Sequence, residues 1–280
     1  KFKIDDKWMV FAVTGLANFV SAFTMSSINL ALPSMAVEFG VSMGVISWVS
    51  LIFMLTVSCT LMIFGRLGDL HGYKVLFVYG FALFALMSLV IPLFSFNLPL
   101  LIFFRALLGL GSSMTISVTH ALVSSSFPAE ERGKALGINS IFVSIGLASG
   151  PSLGGWLVTH FSWHSLFYIN VPLSVLGILA SAKYVKKSEK KENVPKMDWV
   201  GAIVFAVMIF MLSVSINFVD DWGLLSSRFL ACFSIFILAL VVFIIYEKRK
   251  PAPLMELSLF KNKKFTLSVS ASMFSYMAQM

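Results

Sequence analysis

Long apolar runs, each bounded by polar or turn-forming residues, dominate this chain. A helix needs about 20 mostly apolar residues to cross the hydrocarbon core of a bilayer. Eight runs approach or exceed that length, and a ninth begins at Phe265. We therefore predict an all-α membrane protein with about eight complete spans plus the start of a ninth. The predicted spans are residues 8–32, 45–64, 75–94, 98–123, 135–158, 165–182, 199–219 and 229–246.

The composition supports this prediction, because 58% of the residues are hydrophobic and only 12% are charged. A soluble domain carries roughly 25% charged residues. No small-residue cleavage site follows the first run, so we predict a first helix and not a removed signal peptide. Cys59 and Cys232 both lie inside apolar runs, which predicts small packing residues and no disulfide framework.

The basic residues are distributed unevenly among the connections between the runs. Of the 21 Lys and Arg residues, 19 lie before the first run or in even-numbered connections, whereas only Arg228 lies in an odd-numbered one. This split follows the positive-inside rule and predicts a cytoplasmic N-terminus. All six tryptophans lie near predicted span ends, as expected at the headgroups. A lysine-rich, cysteine-poor chain of this kind predicts a bacterial plasma (inner) membrane protein.

The net charge of +8 does not predict nucleic-acid binding, because the cations lie between spans and form no single face. We expect the lipid bilayer as the surrounding partner. The sequence contains no glycine-rich phosphate loop, no metal-ligand cluster and no nucleophile triad. We therefore predict no enzyme, no cofactor and no metal site.

The first predicted span carries polar residues on one face. At about 100° per residue, Asn18 and Ser21 lie within about 40° of Thr14, and Asn29 within about 60°. Polar side chains at membrane depth usually face the protein interior. We predict that this face lines a cavity. The alternative is that it forms hydrogen bonds between helices.

The fourth predicted span contains Arg105, which lies inside a span and is charged at every relevant pH. Gly109, Ser112, Thr119 and His120 point within about 60° of it. We predict that Arg105 and His120 take part in coupling, with Ser112 lining the cavity. The alternatives are a structural arginine bound by carbonyl groups and a histidine at the membrane interface.

The fifth predicted span contains Gly146, Gly150 and Gly154 at intervals of four residues, so two backbones can approach along that face. Pro151 and Gly155 add a weak point in the hydrogen-bond ladder where the helix can bend. We predict a role in packing and bending. The alternative is static packing.

The second connection, Gly65–Lys74, is short and mixes glycines with charged residues. Gly65 and Gly72 permit a tight turn, while Asp69 and Lys74 supply opposite charges. We predict that these four residues form a cytoplasmic gate loop. The alternative is an ordinary hairpin with incidental charges.

These motifs together resemble the major facilitator superfamily, and specifically its fourteen-helix drug:proton antiporter branch. The second connection is similar to the loop signature of that family, and residues 24–33 to its first-helix signature. The other matches are Arg105, Gly109 and Gly111 in the fourth helix, the Gly146–Gly155 pattern in the fifth, Phe167–Pro172 in the sixth, and Pro251–Phe265 before the ninth.

The resemblance implies two six-helix bundles with two extra helices between them. Residues 1–185 would form the N-terminal bundle, built from two inverted three-helix repeats. A basic cytoplasmic linker, residues 186–198, would lead to the extra helices, residues 199–246. A basic cytoplasmic loop, residues 247–264, would then precede the start of the ninth helix, residues 265–280, with the C-terminal bundle missing.

The chain departs from the family pattern at four positions. Thr24 replaces a first-helix aspartate and is predicted to line the cavity. The other departures are Leu108 for a glutamine, and Leu70 and Tyr73 for loop arginines. No acidic residue lies deep in a predicted span. The proton carrier is therefore outside this chain, or His120 serves, or transport is not proton-coupled.

The resemblance implies a secondary active transporter that works by alternating access. We predict export of a small amphipathic or cationic compound, as multidrug efflux in exchange for protons. The alternatives are a dedicated exporter of one metabolite, peptide or lipid, and a membrane scaffold or sensor that has lost transport.

Overall fold

The computed structural model describes residues 4–186, 197–250 and 253–277. Lys1, Lys3 and Pro251 lie outside these described residues, as do most of the predicted basic linker and residues 278–280 of the predicted ninth helix. The chain divides into two compact units, Lys1–Val194 and Pro195–Met280. The domain boundaries implied by the family resemblance stay predictions.

Nearly all of the described part of the first unit is helical. Its helices are α1 (Ile4–Phe39), α2 (Met43–Ile46), α3 (Trp48–His71), α4 (Tyr73–Phe94), α5 (Leu98–Ser126), α6 (Ala129–Ser149), α7 (Gly155–His160), α8 (Ser165–Tyr168) and α9 (Asn170–Tyr184). A π-helical turn, Gly150–Gly154, joins α6 to α7. The second unit contains α10 (Trp199–Asn217), α11 (Val219–Trp222), α12 (Ser227–Arg249), a 3₁₀ turn at Leu257–Lys261 and α13 (Lys263–Met277).

Eight segments among the described residues are long and apolar enough to cross a membrane, which agrees with the predicted number of complete spans. The helices extend beyond the predicted spans at several ends. The first predicted span, residues 8–32, is part of a helix that continues to Phe39 with Pro33 inside it. Apolar patterning marks only the membrane-embedded part of a helix, because helix ends that reach the headgroups need not be apolar.

Helix packing in the first unit has a two-fold pattern. Helix α1 packs against the fifth span, α6, and α5 of the fourth span packs against the second span, α3. In the same way, α4 packs against α5, and α9 packs against α1. Exchanging span one with four, two with five and three with six converts the α1–α6 contact into the α5–α3 contact. The same exchange converts the α4–α5 contact into the α9–α1 contact. Two related three-helix repeats produce such pairing.

The core of the first unit is apolar and lies between α1, α3, α4, α5 and the α8–α9 segment. Its buried residues include Phe53, Phe84, Leu101, Leu108 and Phe167. In the second unit, α10 and α12 pack against each other along their length.

Candidate functional site

The polar face of α1 forms hydrogen bonds with α6. Asn18 Nδ2 donates to Asn139 Oδ1 at 2.7 Å, and Asn139 Nδ2 donates to Thr14 Oγ1 at 3.1 Å. The Thr14 hydroxyl donates in turn to the Phe11 carbonyl at 2.9 Å. Thr14, Asn18 and Asn139 are all buried. This network therefore joins the first and fifth spans through buried polar groups.

The same face of α1 also bonds to the fourth and sixth spans. Ser112 Oγ on α5 donates to Ser21 Oγ at 2.8 Å. Asn170, the first residue of α9, donates from Nδ2 to Thr24 Oγ1 at 2.9 Å. Asn170 is completely buried. Helix α1 is thus tied by side-chain hydrogen bonds to α5, α6 and α9.

The predicted cavity-lining residues differ in their exposure. Thr14, Asn18, Ser21, Thr24 and Ser112 are buried and bonded to neighbours, which matches the interhelical alternative. Asn29 is exposed, and its Oδ1 accepts a hydrogen bond from Ser50 Oγ at 2.9 Å. The cavity-lining role stays a prediction for all six residues.

Arg105 is fully buried among α3, α5 and the α8–α9 segment. Its Nε donates to the Val49 carbonyl at 3.0 Å, while Nη1 and Nη2 have no hydrogen-bond partner among the described residues. The guanidinium carbon lies 4.9 Å from the Phe53 ring centroid and 5.8 Å from that of Phe167. Cation–π attraction stabilises such a charge between two rings. Two guanidinium nitrogens remain available to a further acceptor.

His120 lies on α5, as Arg105 does, but it is exposed. Arg105 and His120 are 15 residues apart in one continuous helix, which is about 22 Å along its axis. The structure therefore does not bring them together. The predicted coupling role of either residue stays a prediction.

Most of the predicted gate loop is helical: residues 65–71 form the last turns of α3, Tyr73 and Lys74 begin α4, and Gly72 alone connects the two helices. Gly72 has φ of 95°, a backbone conformation that residues with a side chain rarely adopt. Tyr73 Oη donates to Asp69 Oδ1 at 2.6 Å, and Lys74 Nζ donates to the Ala182 carbonyl at 2.5 Å. Ala182 lies in the last turn of α9, where a cation also meets the negative end of the helix dipole. Tyr73, a departure from the family pattern, therefore supplies the hydrogen bond to the loop carboxylate.

Asp69 and Lys74 do not form an ion pair in the described part of the chain, where the ion pairs involve other residues. Gly65 has open space around it, so no close approach requires a glycine there. The gating role of these residues stays a prediction.

The glycine row of the fifth span packs closely against α1. A Cβ at Gly146 would lie 2.7 Å from the Phe19 carbonyl oxygen, and one at Gly154 would lie 2.6 Å from Ser27 Cβ. Gly150 and Pro151 open the π-helical turn Gly150–Gly154. This π turn interrupts the α-helical hydrogen-bond ladder in the segment where the sequence predicts a weak point in that ladder. A bending role for this segment stays a prediction.

Sequence reasoning missed several residues that complete the site. Asn139 was not singled out, although an amide side chain inside a predicted span carries a detectable signal. Phe167 and Asn170 entered only as part of the sixth-helix match to the family, with no role assigned to either. Phe53 also flanks Arg105, but no pattern separates it from most of the other phenylalanines. The described residues contain no group of three or more His, Cys, Asp or Glu side chains that could hold a metal.

Comparisons with known proteins agree with the motifs. A sequence model described as the Major Facilitator Superfamily matches residues 14–279. The riboflavin transporter RibZ of Clostridioides difficile (strain 630) is 32% identical over 280 residues, which are 99% of this chain and 59% of the relative. Multidrug resistance protein 3 of Bacillus subtilis (strain 168) is 29% identical over 260 residues, which are 91% of this chain and 50% of the relative. The chain spans about half the length of the curated relatives it matches.

A solved structure shares the fold. The crystal structure of the POT family transporter PepTSo matches with a TM-score of 0.58 at 10% identity, covering 90% of this chain and 56% of that one. The multidrug resistance relatives are fourteen-helix transporters, which confirms the branch that the motifs resemble. Since the family model covers nearly the whole sequence, the chain belongs to the Major Facilitator Superfamily, a family of membrane transporters and not of enzymes.

Proposed function

We propose that the protein exports a small amphipathic or cationic compound by alternating access, in exchange for protons. The observation that carries the proposal is Arg105, a buried cation whose Nη1 and Nη2 have no hydrogen-bond partner among the described residues. Burying a charge is costly unless the protein uses or compensates it. In a family of secondary transporters, an arginine held in this way is a candidate for coupling the movement of protons to the movement of the substrate.

Arg105 can act on coupling through its charge. Like charges repel strongly where the dielectric constant is low, so the guanidinium disfavours a second positive charge nearby. A proton carrier close to Arg105 would release its proton more readily, and a cationic substrate would compete with that proton. The two free nitrogens also offer donors to a carboxylate or another polar acceptor.

The membrane potential can drive this exchange when it carries net charge, as in the export of an uncharged compound for one proton, whereas a one-for-one exchange of a monovalent cation and a proton depends on the pH gradient. Moving one charge across 100 mV supplies about 2.3 kcal/mol, which supports a substrate gradient of roughly fiftyfold. We place the protein in the plasma (inner) membrane of a bacterium with its N-terminus in the cytoplasm. Asp69 and Lys74 would then help to hold the cytoplasmic side closed.

The first test measures efflux by the full-length protein in vesicles with an imposed proton gradient, using ethidium as the cationic amphipathic probe. Arg105→Ala should abolish gradient-driven ethidium efflux at normal protein levels. Arg228→Ala is the matched control, because Arg228 is an exposed arginine in the first turn of α12, and it should leave efflux unchanged.

Three results would count against the proposal. Unchanged efflux in Arg105→Ala would remove the coupling role of that residue. Efflux that persists after the proton gradient collapses would contradict proton exchange. Absence of ethidium efflux in the parent protein would contradict export of cationic amphipathic compounds.

A second candidate is transport of one aromatic metabolite. It is favoured by the likeness to a riboflavin transporter, which aligns with 99% of this chain. The absence of an acidic residue at Thr24 also weakens the argument for a cationic substrate. Competition separates the two candidates: excess riboflavin should inhibit transport only if the site accepts this class of compound.

A further inference from the structure

Two buried carboxyl groups meet in the second unit, where α10 begins and α12 ends. Asp198 precedes α10 and is 6% exposed, and Glu247 lies in the last turn of α12 and is 3% exposed. The family resemblance assigned both residues to cytoplasmic connecting segments. Both are nevertheless buried, at the end of the helix pair where α10 begins and α12 ends.

All three hydrogen-bond donors that contact Asp198 bind the same carboxylate oxygen. Oδ1 accepts from the Gly201 N–H at 3.2 Å, the Tyr246 hydroxyl at 3.0 Å and Lys250 Nζ at 3.3 Å. The other oxygen, Oδ2, has no partner among the described residues. Burial acts to raise the pKa of Asp198, but these three donors outweigh it and hold that pKa below its ordinary value. Asp198 is therefore the ionised member of the pair.

Glu247 also has one satisfied and one unsatisfied oxygen. Oε2 accepts the Met255 N–H at 3.3 Å, whereas Oε1 has no partner. Both unpaired oxygens border the same small space above Gly201: a Cβ there would lie 2.7 Å from Glu247 Oε1 and 2.9 Å from Asp198 Oδ2. Only a glycine leaves room for two carboxyl groups at this point of α10.

The charges around the pair do not balance if both acids are ionised. Among the described residues, the titratable groups that contact the pair are Tyr246 and Lys250, and only Lys250 is a cation. No titratable residue follows Asp198 within α10. Two buried carboxylates that share a site cannot both ionise without a large cost. One proton on Glu247 makes the group of Asp198, Glu247 and Lys250 neutral.

We infer that Asp198 and Glu247 form a proton-binding site, with the proton on Glu247 Oε1 and directed toward Asp198 Oδ2, either directly or through one water molecule. In direct contact, this single hydrogen satisfies both oxygens that otherwise lack a partner among the described residues; with a bridging water, the acid hydrogen binds the water and a hydrogen of the water binds Asp198 Oδ2. The site also touches the chain leading to α13, because the second Glu247 oxygen holds the Met255 amide. Binding and release of this proton would change the charge at that junction.

Infrared spectroscopy of the purified protein tests the inference, because a protonated carboxylic acid has its own carbonyl stretching band. At neutral pH the parent should show such a band, and Glu247→Gln should lose the contribution of one carboxyl group. Glu256→Gln is the matched control: it makes the same change at an exposed glutamate nearby and should keep the full band. Asp198→Asn should keep the band but shift its frequency, since the group facing the proton has changed.

The result that overturns the inference can be read from the parent alone. If the parent has no protonated carboxyl band at neutral pH, the pair holds no proton, whatever the variants do. A band that survives Glu247→Gln but disappears in Asp198→Asn would also overturn the assignment. The measurement involves no transport, so this site and the proposed export reaction can fail independently.

Discussion

At the scale of single residues, Asn139 holds together the polar contacts between the first and fifth spans. Its side chain accepts from Asn18 and donates to Thr14, and all three residues are buried. Buried polar groups are costly without partners, and the loss of the Asn139 amide would remove a hydrogen-bond partner from both Asn18 and Thr14. The side chain of Asn139 should therefore contribute more to the stability of the protein than a side chain with one hydrogen bond.

Replacing Asn139 with alanine should lower the free energy of unfolding by about 1–3 kcal/mol, the cost of leaving buried polar groups unpaired. Unfolding of the purified protein in denaturant, followed by circular dichroism, measures the change. Ser140→Ala is the control, because Ser140 is exposed and bonds only to the Leu136 carbonyl of its own helix. Equal effects of the two substitutions would contradict the importance of the buried network.

At the scale of helices, the fifth span combines a close contact with an interrupted ladder. The glycine row lies against α1, and Ser26 Oγ donates to the Leu147 carbonyl at 2.8 Å, one turn before the π segment. Small residues let the two backbones approach. The close contact and the π turn occur at the same place, so packing and helix irregularity are linked here.

Gly150 and Gly155 provide a matched pair of substitutions for this contact. A Cβ at Gly150 would lie 2.5 Å from Ser26 Oγ and 2.9 Å from Ser27 N, whereas a Cβ at Gly155 would meet only Leu30 Cδ1 at 3.5 Å. We expect Gly150→Ala to destabilise the protein by about 1–3 kcal/mol through overpacking. Gly155→Ala should be neutral or slightly stabilising, because alanine favours a helix by about 1 kcal/mol over glycine. Denaturant unfolding compares the two, and equal stabilities would argue against a tight α1 contact.

The helices and their polar faces were more predictable from the sequence than the residues that those faces contact. Apolar run length gave eight spans, and the 100° arithmetic placed Thr14, Asn18 and Ser21 on one face of α1, because both depend on local geometry. That face was interpreted as lining a cavity, yet it bonds to three other helices. Whether a polar face meets water or another amide depends on side chains over 90 residues away, such as Ser112 and Asn139. Asp198 and Glu247 were missed for the same reason, since 49 residues separate them.

At the scale of the whole molecule, the orientation in the membrane is predicted from the distribution of Lys and Arg among the connections and not from helix packing. Lys134 and Arg228 are both exposed, and the positive-inside rule assigns the predicted connections that contain them to opposite sides of the membrane. The first lies near the start of α6 and the second near the start of α12. Labelling these two positions therefore tests the orientation directly.

Single cysteines at these positions should react differently with a membrane-impermeant maleimide. Arg228→Cys should be labelled in intact cells, whereas Lys134→Cys should be labelled only after permeabilisation. Cys59 and Cys232 form no disulfide and lie within spans, so both are first replaced by alanine, and this cysteine-free protein is the control. The reverse labelling pattern would place the N-terminus outside the cytoplasm.

The contact between Lys74 and Ala182 has a consequence for motion. It joins the first turn of α4, the third span, to the last turn of α9, the sixth, so it links one predicted three-helix repeat to the other. The bonds from α1 to α5, α6 and α9 do the same inside the membrane. Any sliding between the repeats would have to break several of these bonds at once, without water to replace them. We therefore expect the first six spans to move as a single rigid body if the proposed alternating-access cycle takes place.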